Sequence, residues 1–323
     1  MSQNSDTGVL RYTAFSADPA GGNPAGVVLD ASGLDGAAML SLAAELGYSE
    51  SAFLTGRTGP ADGEPPADGP AGTAPSGTEP PGAGSSRTAP SGTGPSAARA
   101  YRIRYFSPKA EVPFCGHATV AAALALAERD GPGDLVFHTA AGPVPVTVAR
   151  QGAELRATLT SVEPYVTDIS PDDLTEALAA LRWPAAGLDP ALPPRISYAG
   201  ARHLVLAAAT RERLADLDYD FARLEALMHR LDLTTLQLVW RASRTVFHVR
   251  DPFPVGGVVE DPATGAAAAA FGAYARALGL VPDSATLTLH QGEDMGRPGT
   301  LTVELRTGDA RVRVSGTGTR IMD

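Results

Sequence analysis

The hydrophobic and polar positions of the chain follow two periods in alternation. Strands are predicted where apolar residues recur at every second position, and helices where they recur every three to four positions. The part before residue 130 is predicted to hold helices at 36–46 and 118–129 and strands at 11–15, 25–29, 51–54 and 102–106. The rest is predicted to hold helices at 172–181, 221–231 and 266–278 and strands at 135–148, 154–159, 203–208, 245–249, 286–290, 301–306 and 310–314. Sheet and helix therefore occur together throughout the chain.

One segment, from Gly56 to Ala100, breaks this pattern. It contains no Val, Ile, Leu, Met or aromatic residue. Such a segment buries too little apolar surface to offset the entropy of ordering it, so we predict a disordered insertion within a domain. The length of 323 residues favours two domains. We predict them at 1–134 and 135–300, with the strands of 301–323 returning to the first domain.

Charge and cysteine content narrow the classes of function. The net charge is −10, without the concentrated basic face that nucleic-acid binding requires, so nucleic acid is not an expected partner. The single cysteine, Cys115, allows no intramolecular disulfide and suits a reducing compartment. The N-terminus lacks an apolar signal region, and the alanine-rich run from Gly265 meets Arg276 before it could span a bilayer. We therefore expect a soluble, cytoplasmic protein with no membrane segment.

The two alanine-rich helices begin in similar ways. A strand and turn lead to Cys115, Gly116 and the first helix, and another strand and turn lead to Thr264, Gly265 and the second helix. Free N–H groups at a helix N-terminus favour negative charge, so two such helices could share one anionic ligand. The pattern alone is equally compatible with two ordinary capped helices.

Seven motifs along the chain coincide with those of one family. They lie at 15–18, 22–28, 49–53, 104–108, 111–119, 260–265 and 291–298. Their residues, order and spacing resemble the phenazine-biosynthesis PhzF-like isomerase family. The resemblance implies an α+β, diaminopimelate-epimerase-like fold, in which two pseudo-symmetric domains each place a curved, mostly antiparallel sheet around a central helix. It also implies a homodimer, without metal or organic cofactor, that moves a proton on a small carboxylated substrate in secondary-metabolite biosynthesis.

The resemblance assigns roles to three side chains. Glu50 matches the acid/base glutamate, and burial beside apolar residues would raise its pKa toward neutrality. His117 matches the active-site histidine, which would donate or relay a proton. Asp261 matches an aspartate that would orient His117 or bind a polar group of the substrate. Without the resemblance, the three residues could be a surface glutamate, a helix-terminal histidine and a turn or cap aspartate.

Backbone N–H groups at the two helix starts are expected to bind the substrate carboxylate or enolate oxygen. The residues concerned are Gly116, Ala118, Gly265 and Ala266. The family commonly has serine where this chain has Ala266, so either the substrate differs or water or Thr264 replaces the hydroxyl. Asn23, Gln291 and Arg297 lie in motifs that could line the cleft, and they are assigned no catalytic role.

Other functions stay open. Epimerases of this fold use two cysteines, but the second-half counterpart of Cys115 is Thr264, which excludes a two-thiol racemase. A Cys115 hydrolase with His117 as base lacks an evident third, orienting residue. A non-catalytic protein that binds a small molecule or a pathway partner is the main alternative.

Overall fold

The computed structural model describes residues 8–58 and 98–322. Its helices are α1 (Gly36–Leu46), α2 (Gly116–Asp130), α3 (Pro171–Leu181), α4 (Arg211–Ala215), α5 (Phe221–Leu231) and α6 (Gly265–Ala277). The strands before residue 161 are β1 (Val9–Ala14), β2 (Asn23–Val28), β3 (Glu50–Thr58), β4 (Arg99–Phe106), β5 (Glu111–Val112), β6 (Gly133–Thr139), β7 (Gly142–Gln151) and β8 (Glu154–Thr160). The later strands are β9 (Tyr165–Thr167), β10 (Arg195–Tyr198), β11 (Arg202–Ala207), β12 (Thr235–Arg241), β13 (Val246–Pro252), β14 (Glu260–Asp261), β15 (Ala285–Gln291), β16 (Gly299–Arg306) and β17 (Asp309–Arg320).

Eight strands close around α2 to form what we call the first unit. The strands pair in the order β1, β2, β3, β4, β6, β7, β8 and β17, and β17 pairs back with β1. α2 is buried continuously from His117 to Ala127. Its side chains are mostly alanine, and small side chains allow a helix to fit inside a ring of strands.

The second unit surrounds α6. Strands β9 to β13, β15, β16 and β17 pair in succession, and ten of the thirteen α6 residues are buried. Helices α3 to α5 pack on the outer side of this sheet, where they share a second hydrophobic cluster with β10, β11 and β12. β17 belongs to both units because it pairs with β16, β8 and β1. The predicted α+β fold class, with two similar units built around central helices, is confirmed.

The strand pairing favours a different domain boundary from the one predicted. The division at residue 134 falls within β6, which pairs with β4 and β7 of the first unit. β7 and β8 continue this sheet as far as Thr160. We therefore propose the boundary between β8 and β9. Of the two C-terminal strands, β16 stays beside β15, and only β17 returns to the first unit.

The ends of the predicted insertion are ordered strands. β3 continues to Thr58 and β4 begins at Arg99, and the two strands pair Gly56 with Arg102 and Thr58 with Ala100. The prediction of disorder is therefore wrong for 56–58 and 99–100. Pairing with neighbouring strands supplies backbone hydrogen bonds there, and composition alone cannot predict such pairing. The remaining residues, 59–97, lie outside the described residues.

The helices follow the prediction more closely than the strands. α5 has the predicted bounds, and Asp220 caps its N-terminus by accepting from the Arg223 amide. β12 was not predicted, because its first five residues are all buried and show no alternation. Among the described residues, no helix has both the length and the apolar character needed to cross a membrane.

Gly272 allows α6 to lie close against the sheet. A Cβ atom built on Gly272 would lie 2.6 Å from Cγ1 of Val303 and 2.9 Å from Cγ1 of Val312. Both valines are completely buried, on β16 and β17. They cannot move aside without disturbing the core that the two units share.

We predict that Gly272→Ala lowers the free energy of unfolding by about 1–2 kcal/mol. Alanine gains about 1 kcal/mol over glycine in a helix, whereas overpacking a filled core costs about 1–3 kcal/mol. The contacts below 3 Å place Gly272 toward the upper end of that cost. Urea unfolding followed by circular dichroism measures the difference.

Gly56→Ala is the matched control, because a Cβ atom there would meet nothing within 4 Å. Its stability should be unchanged or slightly higher. An unfolding midpoint for Gly272→Ala equal to that of the wild type would contradict the packing argument.

Candidate active site

The first turns of α2 and α6, which we call the helix tips, meet between the two units. Cys115 and Thr264 are the N-cap residues of these helices. A Cβ atom built on Gly116 would lie 3.8 Å from the Ala266 nitrogen and 3.9 Å from Cα of Gly265. The two helix starts therefore face each other, which was one of the two arrangements that the sequence left open, while an anion between them stays a prediction.

Glu50 lies at the start of β3, beside β2 of the first unit. Its side chain is only 13% exposed, and Oε2 lies 3.6 Å from both Nε2 of His117 and Sγ of Cys115. Burial raises the pKa of Glu50, and the hydrogen bonds from Ser49 and Cys115 act in the opposite direction. The carboxyl group is thus close to the helix tip of α2 and binds a proton more readily than a glutamate in water.

His117 is the second residue of α2 and is buried. Burial lowers the pKa of His117 to about 3, so its imidazole is neutral at physiological pH. Nδ1 lies 3.0 Å from Nδ2 of Asn23, and Nε2 lies 3.3 Å from Oγ of Ser49. Because the Asn23 nitrogen presents only hydrogens, a proton on Nδ1 would face another donor, so we assign the ring proton to Nε2. This proton faces the Ser49 hydroxyl and the Glu50 carboxyl group.

Asp261, in the second unit, is hydrogen-bonded to Asn23 of the first unit. Nδ2 of Asn23 donates to Oδ1 of Asp261 at 2.8 Å and to the Ala263 carbonyl at 3.1 Å, and Thr264 donates its hydroxyl to Oδ2 of Asp261 at 2.6 Å. Burial, together with the charge of Glu50, raises the pKa of Asp261 to about 7 against the effect of these donors. In the described part of the chain, no direct hydrogen bond joins Asp261 to His117. Asn23 lies between them instead.

Arg297 of the second unit fixes the loop that precedes Asn23. Its Nε and Nη2 atoms donate to the carbonyl groups of Gly22 and Gly21, both at 2.9 Å, and the Gly22 amide donates to the Pro298 carbonyl at 3.0 Å. Gly22 has a φ of 56°, and a Cβ atom there would lie 2.2 Å from the Ala14 carbonyl oxygen. Only glycine fits this turn without strain.

Gln291 organises the second unit's side of the site. Its Nε2 atom shares two hydrogens among three acceptors, which are the Asp261 carbonyl oxygen at 2.8 Å, Oδ2 of Asp251 at 2.9 Å and Oγ1 of Thr264 at 3.0 Å. Its Oε1 atom accepts from the Thr264 amide at 2.9 Å. Asn23, Gln291 and Arg297 were given no role from the sequence, although they lie in the recognised motifs. The motifs were the available signal, but the contacts join residues up to 276 positions apart.

A cavity of about 420 Å³ borders the helix tips. Gly116, Gly265 and Ala266 line it, together with apolar side chains such as Phe114 and Val144. Three of the four residues predicted to bind the carboxylate are therefore at the cavity, whereas Ala118 is fully buried in α2 and is not part of the lining. Glu50, His117 and Asp261 cluster beside the tips and do not line the cavity either.

The missing serine hydroxyl at Ala266 is not replaced by Thr264. The Thr264 hydroxyl donates to Asp261 and accepts from Gln291. The cavity wall at Ala266 is therefore apolar. This leaves a different substrate or a bound water as the explanations for the alanine.

Cys115 is a poor nucleophile in this setting. Its Sγ lies 3.4 Å from Nδ1 of His117. Burial and the nearby charge of Glu50 raise the pKa of the thiol well above its usual value. A hydrolase that uses Cys115 as its nucleophile would therefore lack the thiolate that it needs.

Glu50, Cys115 and His117 offer ligand atoms within 4.8 Å of one another, a spacing that suits a metal ion. Two features oppose this use. Without a metal, burial and the charge of Glu50 favour the protonated thiol, so a metal would have to displace that proton. The Asn23 donor at Nδ1 also keeps the proton of His117 on Nε2, the atom that faces Glu50.

The comparisons with known proteins agree with this architecture. The model of the phenazine biosynthesis-like protein family (PhzC–PhzF) matches residues 12–64 and 84–323. The uncharacterized isomerase YfhB of Bacillus subtilis is 26% identical over 97% of this chain and 95% of its own. The trans-2,3-dihydro-3-hydroxyanthranilate isomerase of Pseudomonas aeruginosa is 28% identical over 94% of each chain.

Solved structures show the same fold. A PhzF-family phenazine biosynthesis protein of Bacillus anthracis covers 97% of this chain and 96% of its own, with a TM-score of 0.76 and 22% identity. A predicted epimerase of Pseudomonas aeruginosa has the same coverage, with a TM-score of 0.74 and 28% identity. A hydroxyproline epimerase of Agrobacterium vitis covers 97% of this chain and 90% of its own, with a TM-score of 0.55 and 11% identity, which indicates the fold alone.

The family match covers most of the chain, and its curated relatives are named isomerases. The two units around central helices are shared with epimerases of this fold. The chain therefore belongs to the phenazine biosynthesis-like protein family, and it is an isomerase.

Proposed function

We propose that this isomerase is cofactor-independent and moves a proton on a small carboxylated metabolite, with Glu50 as the general acid/base. One observation carries the proposal: the Glu50 carboxyl group is buried and lies 3.6 Å from Nε2 of a neutral His117, beside the helix tips. A carboxylate that removes a proton from carbon must return it, so a raised pKa serves both steps. Burial gives Glu50 such a pKa.

The proposed reaction begins with Glu50 as the carboxylate. It takes a proton from a carbon of the substrate, and the electron pair of the broken C–H bond moves into the conjugated double bonds of the substrate. The negative charge is stabilised by the Nε2 proton of His117, which is on the same side as Glu50. Protonated Glu50 then returns the proton to another carbon, which completes the isomerisation without a net change in atoms or electrons.

The substrate carboxylate is proposed to bind at the helix tips. N–H groups at the start of a helix favour anions, and Gly116, Gly265 and Ala266 border the cavity there. The apolar walls of the cavity would hold the part of the substrate that extends away from Glu50, which does not line the cavity. Asp261, as the carboxylate, holds Asn23 and through it the His117 ring.

The wider setting of the proposal rests on the family resemblance. It comprises secondary-metabolite biosynthesis, a homodimer and a cytoplasmic location. The substrate named for the Pseudomonas aeruginosa relative, trans-2,3-dihydro-3-hydroxyanthranilate, is a suitable first probe because it carries a carboxylate on a small ring. The alternative is a non-catalytic binding protein, which the apolar Ala266 would suit. Binding of this probe and similar carboxylates without turnover would favour that alternative.

We predict that Glu50→Gln slows deuterium exchange from solvent into trans-2,3-dihydro-3-hydroxyanthranilate by about 100-fold or more, because the amide cannot accept the proton. Proton NMR in D₂O measures the exchange. Glu45→Gln is the control, since Glu45 is an exposed residue of α1, and its exchange should match the wild type. Exchange by Glu50→Gln at the wild-type rate would remove Glu50 from the mechanism.

A second prediction concerns pH. Asp261 accepts hydrogen bonds from Asn23 and Thr264 as a carboxylate, and its pKa is raised to about 7. Protonation weakens both bonds and loosens His117, so kcat/KM should fall as the pH drops below about 7. Asp261→Asn should have lower activity at every pH and should lack this limb. If the limb persists in Asp261→Asn with the same midpoint, it belongs to another group, such as Glu50.

A further inference from the structure

The N-cap residue of α6 does not cap its helix. Threonine is a favoured N-cap residue because its hydroxyl oxygen accepts a hydrogen bond from an N–H group of the first turn. Thr264 has the required extended backbone, but its side chain makes no capping hydrogen bond. In the same unit, Ser170, Thr210 and Asp220 do cap α3, α4 and α5. The α6 tip is therefore the exception among the helices of the second unit.

Gln291 and Asp261 hold the Thr264 side chain away from the helix. The hydroxyl proton goes to Oδ2 of Asp261 at 2.6 Å, and the hydroxyl oxygen lies 3.0 Å from Nε2 of Gln291, where it shares the two amide hydrogens with Asp251 and the Asp261 carbonyl. Gln291 also accepts the Thr264 amide proton through Oε1. The residue that would close the α6 tip is thus engaged by Gln291 at both its backbone and its side chain.

The orientation of the Gln291 amide is fixed by its neighbours. The Asp261 carbonyl accepts from Nε2 and the Thr264 amide donates to Oε1, so a reversed amide would place its oxygen against a carbonyl and its nitrogen against an N–H group. Asp251 is completely buried, and burial raises its pKa well above the usual value. Gln291 is itself 1% exposed. Its position leaves little freedom for another arrangement.

We propose that Gln291 is a positioning residue that prevents Thr264 from capping α6 and thereby keeps the first-turn N–H groups of α6 available to the substrate carboxylate. The inference rests on the proposed function, because it assumes that a carboxylate binds at the helix tips. Without Gln291, the Thr264 hydroxyl keeps the bond that it donates to Asp261, but its oxygen can accept from the first turn of its own helix. The side chain would then compete with the ligand for the same donors.

The test measures binding of anthranilate, a simple ring carboxylate, by isothermal titration calorimetry. We expect Gln291→Met to weaken binding by about tenfold or more. Thr264 would then take a first-turn N–H group of α6 from the anthranilate carboxylate, and a hydrogen bond to a charged group would be lost. Gln291→Glu keeps the oxygen that accepts from Thr264 but has no Nε2 donor, and it should also bind weakly. Gln237→Met is the matched control and should bind like the wild type. Gln237 is a buried glutamine of β12 in the same unit, and neither of its amide atoms has a hydrogen-bond partner in the described residues.

A rescue separates this role from a general structural one. Thr264→Val in the Gln291→Met background removes the hydroxyl that would cap α6, so the double variant should regain most of the lost affinity. A purely structural role for Gln291 predicts a further loss instead. Amide hydrogen exchange provides a second measurement. If Thr264 caps α6 in Gln291→Met, the first-turn amides of α6 should exchange more slowly in this variant than in the wild type.

Equal binding by the wild type and Gln291→Met, or a double variant no better than Gln291→Met, would overturn the inference and leave the role of Glu50 intact. A wild-type protein that does not bind anthranilate at all would overturn the inference together with the carboxylate site of the proposed function. The exchange assay on Glu50→Gln tests the acid/base role separately.

Discussion

Two helix N-termini point at each other across the contact between the units, and this arrangement governs the site. The partial positive charges of the tips repel when they are brought together, so a compensating negative charge is favoured between or beside them. The tips come close together, since a Cβ atom built on Gly116 would lie 3.8 Å from the Ala266 nitrogen, an ordinary van der Waals distance. The acidic side chains of Glu50 and Asp261 lie beside this point, one from each unit. The fold thus creates a place where we expect backbone groups to stabilise an anion.

Asn23 joins the two sides of that place. Its Nδ2 atom contacts His117 of the first unit and Asp261 and Ala263 of the second. Any shift of one unit against the other therefore changes the His117 ring as well as the Asp261 carboxylate. Arg297 acts in the same sense, since it ties the loop before Asn23 to the second unit, whereas Gln291 fixes Thr264 within the second unit. The geometry around Glu50 depends on how the units are aligned, and Asn23 and Arg297 hold that alignment.

The local sequence pattern predicts the helices and strands better than it predicts the candidate active site. α5 was predicted with its observed bounds because a capped, amphipathic helix carries its own signals, whereas β12 was missed because a strand buried on both faces has none. The proximity of Glu50, His117 and Asp261 came from the family resemblance and not from spacing. Asn23 and Asp261 are 238 positions apart, so nothing in their local sequences could reveal that they touch. The ends of the 56–100 segment became strands because pairing partners, which composition cannot show, were present.

Burial acts on the titratable groups of the site in one direction, toward the uncharged form. It lowers the pKa of His117 to about 3 and raises that of Asp261 to about 7, and it also raises the pKa values of Glu50 and Cys115. Ionising any of these side chains is therefore less favourable than it would be in water, while the helix tips remain positive. A substrate carboxylate would add a negative charge beside the tips. On this view the dry site and the open α6 tip serve one purpose, because both leave the anionic position to the ligand.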